Sequence, residues 1–173
     1  MKNFAYPLLL LAPFFAFACG DEPADSDTTA VSESGFPEHY WLASDPADAK
    51  DVGAACADLT DGATVTVRGV IGGSAKPFVD GLAAFTVVDP ALKACVGEGE
   101  NCKTPWDYCC TDLETIAANS MTIEFRDGDN PLQESLLGVN GLDHLATVAV
   151  QGVAERDAQG NVTLVASGVR VLN

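Results

Sequence analysis

Apolar and polar residues alternate along several short stretches of this chain, the first of which is ATVTVRGVIGG at residues 63–73. Successive side chains of a strand point to opposite faces of a sheet, so this alternation predicts a strand with one buried face. That face would carry Val65, Val67, Gly69 and Ile71. The pair Gly72 and Gly73 at the end of the stretch predicts a bulge or a sharp bend.

Four more strands are predicted downstream. The second is LAAFTVVDP at residues 82–90, and Pro90 ends it because proline cannot donate a hydrogen bond to a neighbouring strand. The other three are predicted at residues 121–127, 145–156 and 161–172. The last two strands are separated by Asp157-Ala158-Gln159-Gly160, a sequence typical of a hairpin turn.

A helix is predicted between the third and fourth strands, in NPLQESLLGVNG at residues 130–141. Pro131 suits a first helical turn, and Leu132, Leu136 and Leu137 form one apolar stripe. The resulting order is three strands, a short helix and two strands, with a glycine-bent first strand. That order is typical of the five-stranded Greek-key barrel called the OB-fold, and we predict a mainly β domain of this class. The seven strands of a generic β-sandwich are hard to find in the pattern.

A short N-terminal helix is predicted ahead of the barrel. In DPADAKDVGAACADL, Asp45 can cap a helix and Pro46 suits its first turn. Apolar residues then follow at helical spacing: Ala49, Val52, Cys56 and Leu59. The helix should pack on the barrel, with Cys56 as a small buried residue.

The first eighteen residues, MKNFAYPLLLLAPFFAFA, combine one positive charge at Lys2 with an apolar run too short for a spanning helix, and we interpret residues 1–18 as a secretory signal. The following Ala18-Cys19-Gly20 resembles the lipobox of bacterial lipoproteins, in which the cysteine is diacylated and becomes the mature N-terminus. Ala16 and Phe17 depart from the usual lipobox, and residues 16–18 also satisfy the A-x-A pattern of ordinary signal cleavage. Lipidation of Cys19 is the interpretation that we follow.

The acidic, serine- and threonine-rich residues 19–35 lack aromatic side chains and predict a flexible tether, and residues 36–173 are the size of one domain. The formal net charge of −16 makes nucleic acid a poor partner, because phosphate backbones are repelled. Cationic ligands, metal ions and basic proteins remain compatible with this charge. The expected location is the bacterial cell envelope, on its periplasmic or cell-surface side, with membrane contact only through the N-terminal lipid.

A cysteine-rich insertion is predicted between the second and third strands, at about residues 90–120. It contains Cys95, Cys102, Cys109 and Cys110. In an oxidising compartment two disulfides can account for this even set. Neighbouring cysteines rarely reach disulfide geometry, so Cys109 and Cys110 would each pair with Cys95 or Cys102. Trp106 and Tyr108 would then cover the bridges, and DLETIAAN is a short helical candidate within the insertion.

Two other chemistries for the same four cysteines remain open. Thiolates suit Cu(I) or Zn(II), although the spacing lacks the C-x2-4-C pairs of common zinc sites. Thiol-disulfide exchange is the second alternative, although the usual C-x-x-C pair is absent. Apart from these alternatives, no cofactor is expected.

The stretches VRGVIGG, KPFVDGLAAFTVVDP and CKTPWDYCC resemble a group of uncharacterised bacterial envelope lipoproteins with an OB-like domain. The similarity spans about residues 37–172. The resemblance implies a fold and a location, and it implies no activity.

The chain contains no H-E-x-x-H, no G-x-S-x-G and no phosphate-binding glycine loop, and its two histidines, His39 and His144, suit local hydrogen bonding. We therefore expect a noncatalytic binding module. OB-folds bind ligands across their second and third strands, together with the loops between strands one and two and between strands four and five. The first of these loops is GSAKPFVDG, in which Lys76 and Phe78 are binding candidates, although Phe78 is expected to fold back into the core. The partner is an envelope protein, a glycan or a small molecule.

Overall fold

The fold was analysed in a computed structural model, which describes residues 35–95 and 104–172. All of these residues belong to one compact unit. The expected signal, most of the expected tether, Cys19 and Cys102 lie outside the described residues. Within the described ranges, no helix has the length and apolarity that crossing a bilayer requires.

The described ranges contain eight strands, of which five are longer than two residues. The strands are β1 (Lys50–Asp51), β2 (Thr64–Ile71), β3 (Ala84–Val88), β4 (Ser120–Glu124), β5 (Arg126–Asp127), β6 (Asn130–Pro131), β7 (Thr147–Arg156) and β8 (Val162–Val171). The five longer strands lie within the five stretches predicted from the sequence, apart from Ser120, which extends β4 by one residue. The β7–β8 hairpin is confirmed, with register pairs running from Val148–Val171 to Arg156–Val162.

The five longer strands close into a barrel. The sheet order is β2, β3, β4, β8 and β7. The barrel closes because β7 also pairs with β2, along nearly the whole length of β2. All barrel pairs are antiparallel except β4 with β8, which is parallel. When only these five strands are counted in chain order, the order around the barrel is first, second, third, fifth, fourth and back to first. This is the connectivity of the OB-fold, so the predicted fold class is confirmed.

The barrel interior is filled by the faces that the alternation predicted. Val67 and Ile71 of β2 are fully buried, as are Phe85, Ile123 and Leu164 from three other barrel strands. Gly69 is required where β2 meets the helix at the barrel end, because a Cβ there would lie 2.8 Å from a methyl carbon of Val52.

Two α-helices lie in the described part of the chain, α1 (Val52–Asp58) and α2 (Leu113–Ala118). The prediction of an N-terminal helix on the barrel is confirmed, and α1 contributes Val52 and Ala55 to the core. Its predicted start at Asp45 was wrong. Instead a turn lies at residues 47–48, and Lys50 and Asp51, directly before α1, pair in parallel with Val67 and Arg68 of β2. The helical candidate DLETIAAN is confirmed as α2.

The predicted helix at residues 130–141 was wrong. Asn130–Pro131 form β6 and pair with β5, and only a 3-10 turn follows, at Val139–Gly141. Gly138 and Asn140 have positive φ angles, of 84° and 45°, which an α-helix cannot accommodate. Of the predicted leucine stripe, Leu136 is buried and Leu137 is half exposed. The segment therefore contributes individual side chains to the core and no continuous helical face.

Candidate functional site

The cysteine-rich insertion leaves the barrel at Asp89 and returns at Asn119, and these two residues close its base. The backbone N–H of Asp89 donates to the carbonyl of Asn119 at 2.9 Å. The Asp89 carboxylate accepts from the N–H of Ala91 at one oxygen and from the N–H of Gly53 in α1 at the other, both at 2.8 Å. The insertion is therefore held at its root to the helix that packs on the barrel.

Three of the four clustered cysteines bring their sulfurs together. Cys95 Sγ lies 3.2 Å from Cys109 Sγ and 3.8 Å from Cys110 Sγ. All three sulfurs lie within 4.8 Å of one another. The Cys95 contacts are longer than the S–S bond of about 2.05 Å, so these sulfurs are in contact without being bonded to each other. The predicted pairing of the four cysteines stays a prediction, because Cys102 lies outside the described residues.

Backbone hydrogen bonds position the three cysteines of this sulfur cluster. The N–H of Cys95 donates to the carbonyl of Asp107 at 2.7 Å, which joins the two arms of the insertion. A turn follows, in which the N–H of Thr111 donates to the carbonyl of Tyr108 at 2.9 Å. Cys109 and Cys110 occupy the two central positions of this turn, so both sulfurs can face Cys95, whereas adjacent residues of a strand would point apart.

Tyr108 anchors the insertion on the barrel. Its side chain is only 2% exposed, and burial raises the pKa of its hydroxyl. The ring lies against Gly72 at the end of β2, where a Cβ would stand 2.7 Å from Tyr108 Cε2. The glycine pair that was predicted to form a bend therefore also leaves the space that this aromatic ring occupies.

Trp106 makes a second contact with the barrel. Its indole Nε1–H donates to the carbonyl of Ala75 at 3.1 Å, and its ring lies 4.4 Å from that of His144, centroid to centroid. The described contacts of Trp106 and Tyr108 thus lead to the barrel surface, and the expectation that both rings cover disulfides stays a prediction. His144 also contacts Asp143 Oδ1 through Nδ1, at 3.1 Å, consistent with the local hydrogen bonding predicted for it.

The two predicted ligand-binding candidates have different environments. Lys76 is exposed. Phe78 is half-buried, packs against the core and forms a bridge with Phe85, and its ring lies 5.6 Å from that of His144. Of the two candidates, only Lys76 is fully exposed on the loop between β2 and β3, as expected if Phe78 folds back. The proposed binding role of both residues stays a prediction.

An open groove crosses the outer face of β3 and β4, and the sequence alone did not locate it. It consists of two joined hollows of about 430 and 230 Å³ that share Ala117, Ser120, Asn161 and Val162. Its floor includes Thr86 and Thr122, which are register partners across β3 and β4. Thr122 is in turn the register partner of Thr163 in β8. A row of threonines therefore crosses three strands at this face.

Among the described residues that line the groove, Arg156 is the one with a cationic side chain. Its guanidinium donates to the carbonyls of Gly160 at 2.9 Å and Cys56 at 3.3 Å, which ties the β7–β8 turn to α1. Cys56 also lines the groove, with its thiol 3.5 Å from the carbonyl of Ser120. Burial raises the pKa of this thiol, and Asp89 adds to the rise while Arg156 opposes it. Cys56 is half-buried, near the environment predicted for it.

The side chain of Asp157 also stabilises the β7–β8 turn at the end of the groove. Asp157 accepts hydrogen bonds from the N–H groups of Gln159 and Asn161 and from the Asn161 amide, at 2.7–2.9 Å, which lowers the pKa of its carboxyl. Asp-Ala-Gln-Gly signals a turn in the sequence. The groove beside it was missed, because Ser120 and Asn161 become neighbours only through the parallel β4–β8 pair.

Comparison with known proteins adds a fold likeness. No family model matches the chain, and no curated protein matches it. Among solved structures, the hypothetical protein ygiW from E. coli is similar, with 17% sequence identity and a TM-score of 0.37. The match covers 69% of this chain and 85% of that chain.

Proposed function

We propose that this protein is a noncatalytic OB-fold binding module, held in the bacterial cell envelope by a lipid on Cys19. The observation that supports it best is the groove over β3 and β4. This is the face on which OB-folds bind their ligands, and here the turn between β7 and β8 lies beside it. The tether and the envelope location rest on the sequence features of residues 1–35.

The lining of the groove favours an uncharged polar ligand. Hydroxyl and amide groups stand along it, at Thr86, Thr122, Ser120 and Asn161. Side chains of this kind fix the orientation of a ligand by hydrogen bonds. Arg156 already donates to two carbonyls, so it offers little unsatisfied charge. A neutral glycan or another uncharged polar molecule of similar size fits this surface better than a polyanion does, given a net charge of −16.

The groove also differs from a catalytic centre in its titratable groups. Its described lining holds Cys56 and Arg156 as ionisable side chains, and the thiol is less acidic than usual because of burial. A nucleophilic thiol requires the opposite shift, toward the thiolate at neutral pH. Cys56 is therefore assigned to packing between α1 and β4, and the groove to binding.

The test is an array of neutral and acidic oligosaccharides probed with the labelled full mature chain. Thr122→Arg places a long side chain in the groove at an outward strand position, and we expect it to abolish binding of the captured neutral glycans. Thr66→Arg is the matched control, since Thr66 is an outward threonine of β2 outside the groove, and it should bind like the wild type. Equal loss in both variants, or no neutral glycan captured by the wild type, would remove this proposal.

The loop candidates are tested in the same assay. Lys76→Ala changes an exposed side chain, so unchanged binding would separate the groove from the β2–β3 loop. Loss of binding in Lys76→Ala together with normal binding by Thr122→Arg would move the binding surface to that loop.

A further inference from the structure

A hollow of about 440 Å³ lies on the outer face of β7 and shares no lining residue with the binding groove. We propose that this hollow binds a small zwitterion, either a free amino acid or a short peptide whose amino and carboxyl groups are both unblocked. The ligand carboxylate contacts Arg68, and the ligand ammonium group contacts Asp45. The proposal is independent of the groove and of the lipid anchor, since it rests only on the residues of this hollow.

The floor of the hollow is a small residue between two arginines. Ala149 of β7 is the register partner of Arg68 in β2 and of Arg170 in β8, so the three side chains lie on one face of the sheet. Ala149 is fully buried but lies outside the core cluster, to which its neighbours Val148 and Val150 contribute. That face is therefore the outer one. A single methyl group between two long side chains leaves a depression in this face.

The outer wall of the hollow is formed by the segment at residues 45–49. Two sets of contacts hold this segment. On one side, Arg170 donates from Nε to Asp45 Oδ1 at 2.8 Å and from Nη1 to the carbonyl of Leu42 at 3.2 Å. On the other side, β1 pairs with β2. The wall is fixed at both ends, so a ligand meets a site that is already formed. The segment contributes four lining residues, Asp45, Pro46, Ala47 and Ala49.

Two side chains of the lining combine a charge with unused hydrogen-bonding capacity. Arg68 donates from Nε to Asp51 Oδ1 at 2.7 Å, and none of the described residues accepts a hydrogen bond from its two terminal amino groups. Asp45 accepts from Arg170 at Oδ1, and none of the described residues donates to its Oδ2. The side chains of Arg68 and Asp45 are 49% and 66% exposed, so a ligand can reach both. A guanidinium of this kind binds a carboxylate through two parallel hydrogen bonds.

The arrangement of these charges selects the ligand. Arg68 belongs to β2, and Asp45 is bound to Arg170 of β8, so a positive and a negative group flank β7. A simple anion is attracted by Arg68 and repelled by Asp45, and the reverse holds for a simple cation. A zwitterion pairs with both groups at once. Small-molecule sites have volumes of roughly 300–1,000 Å³, and the size of this hollow, near the lower end, suits an amino acid or a dipeptide.

The experiment measures the binding of alanine and of alanyl-alanine to the full mature chain by isothermal titration calorimetry. N-acetyl-alanyl-alanine lacks the ammonium group, and alanyl-alanine amide lacks the carboxylate. We expect each blocked form to bind at least about tenfold more weakly than alanyl-alanine, because a hydrogen bond to a charged group contributes this much or more to affinity. The proposal is overturned if the wild type binds neither alanine nor alanyl-alanine, or if a blocked form binds as tightly as the free dipeptide.

Two variants separate the two charges. Asp45→Asn should abolish the preference for alanyl-alanine over its N-acetyl form, because the partner of the ammonium group is lost. Arg68→Gln should abolish the preference for alanyl-alanine over its amide, because the partner of the carboxylate is lost. A merely structural role of either residue predicts neither of these selective changes, and circular dichroism checks that each variant keeps the barrel.

Two further variants serve as controls. Glu155→Gln is matched to Asp45→Asn, since Glu155 is an exposed carboxylate that pairs with Arg126 and lies outside the hollow. Thr122→Arg alters the groove and leaves the hollow intact. Both should bind alanyl-alanine like the wild type. If either control lost as much affinity as Asp45→Asn, the dipeptide would not be bound in the hollow and the proposal would be wrong.

Discussion

Tyr108 lies against Gly72 so closely that a Cβ at the glycine would stand 2.7 Å from the ring carbon Cε2 and 3.1 Å from the hydroxyl oxygen. One residue belongs to the cysteine-rich insertion and the other directly follows β2. Their contact joins the insertion to the barrel at a point where no other residue than glycine leaves room.

Gly72→Ala should therefore destabilise the protein by roughly 1–3 kcal/mol, as expected for overpacking of a closely packed site. Chemical denaturation followed by circular dichroism measures the loss. In a Tyr108→Ala background the same substitution should cost much less, since the ring that it displaces is gone. A cost that is equal in the two backgrounds would mean that the contact does not determine the stability.

His144→Ala should shift the fluorescence of Trp106 to longer wavelength. The imidazole covers one side of the indole, with ring centroids 4.4 Å apart, and its removal exposes the indole to water. A Trp41→Phe background leaves Trp106 as the single emitter, because the chain has two tryptophans. His39→Ala is the matched control, since His39 packs on Tyr40, and its spectrum should not change. Identical spectra for the two histidine variants would contradict this ring contact.

Stability should fall at alkaline pH through two buried groups. Burial raises the pKa of both the Cys56 thiol and the Tyr108 hydroxyl in the folded state. Each folded group holds its proton more tightly than the unfolded chain does, so the contribution is fully present below the unfolded pKa values of about 8.5 and 10. It is lost as the pH rises through the higher folded values.

Urea unfolding at a series of pH values from 7 to 11 measures this loss. Cys56→Ser should remove the part that begins near pH 8.5, and Tyr108→Phe the part that begins near pH 10. Tyr108→Phe keeps the ring on Gly72, so its stability at pH 7 serves as the internal reference. An alkaline loss that persists unchanged in the double variant would assign it to other groups.

Cys19 should be the first residue of the mature protein and should carry acyl chains. Mass spectrometry of the N-terminal peptide from the membrane fraction is the measurement, and Cys19→Ala is the variant expected to leave the membrane fraction. A mature chain that starts after Ala18 without acyl mass would instead fit ordinary signal cleavage at residues 16–18.

The strands could be predicted from the sequence because local alternation and barrel burial agree at each of them. Val67 and Ile71, for example, sit on the face that the period of two assigns to the core. The helix at residues 130–141 could not be excluded in this way. Its leucine spacing is compatible with a helix, whereas Pro131 pairs with Arg126 in a local hairpin and Asn140 has a positive φ, and the leucine spacing indicates neither.

The candidate site was predictable only in its residue types. The spacing of Cys95, Cys109 and Cys110 shows that three thiols lie in one loop, but the turn after Tyr108 decides that their sulfurs meet. Trp106 and His144 are far apart in the sequence, and no local pattern links them. The threonine row across β3, β4 and β8 likewise depends on the register of the barrel, which single strands do not specify.

The two strands that close the barrel are the last two in the chain. β2 finds its second edge partner only in β7, and β4 finds its own only in β8. Until the final hairpin forms, β2 and β4 therefore each keep an open edge, whereas β3 already lies between them. Such long-range pairing slows folding, and open edges favour wrong partners in the meantime. Loss of β8 alone would leave β4 and β7 each with one open edge and the barrel unclosed.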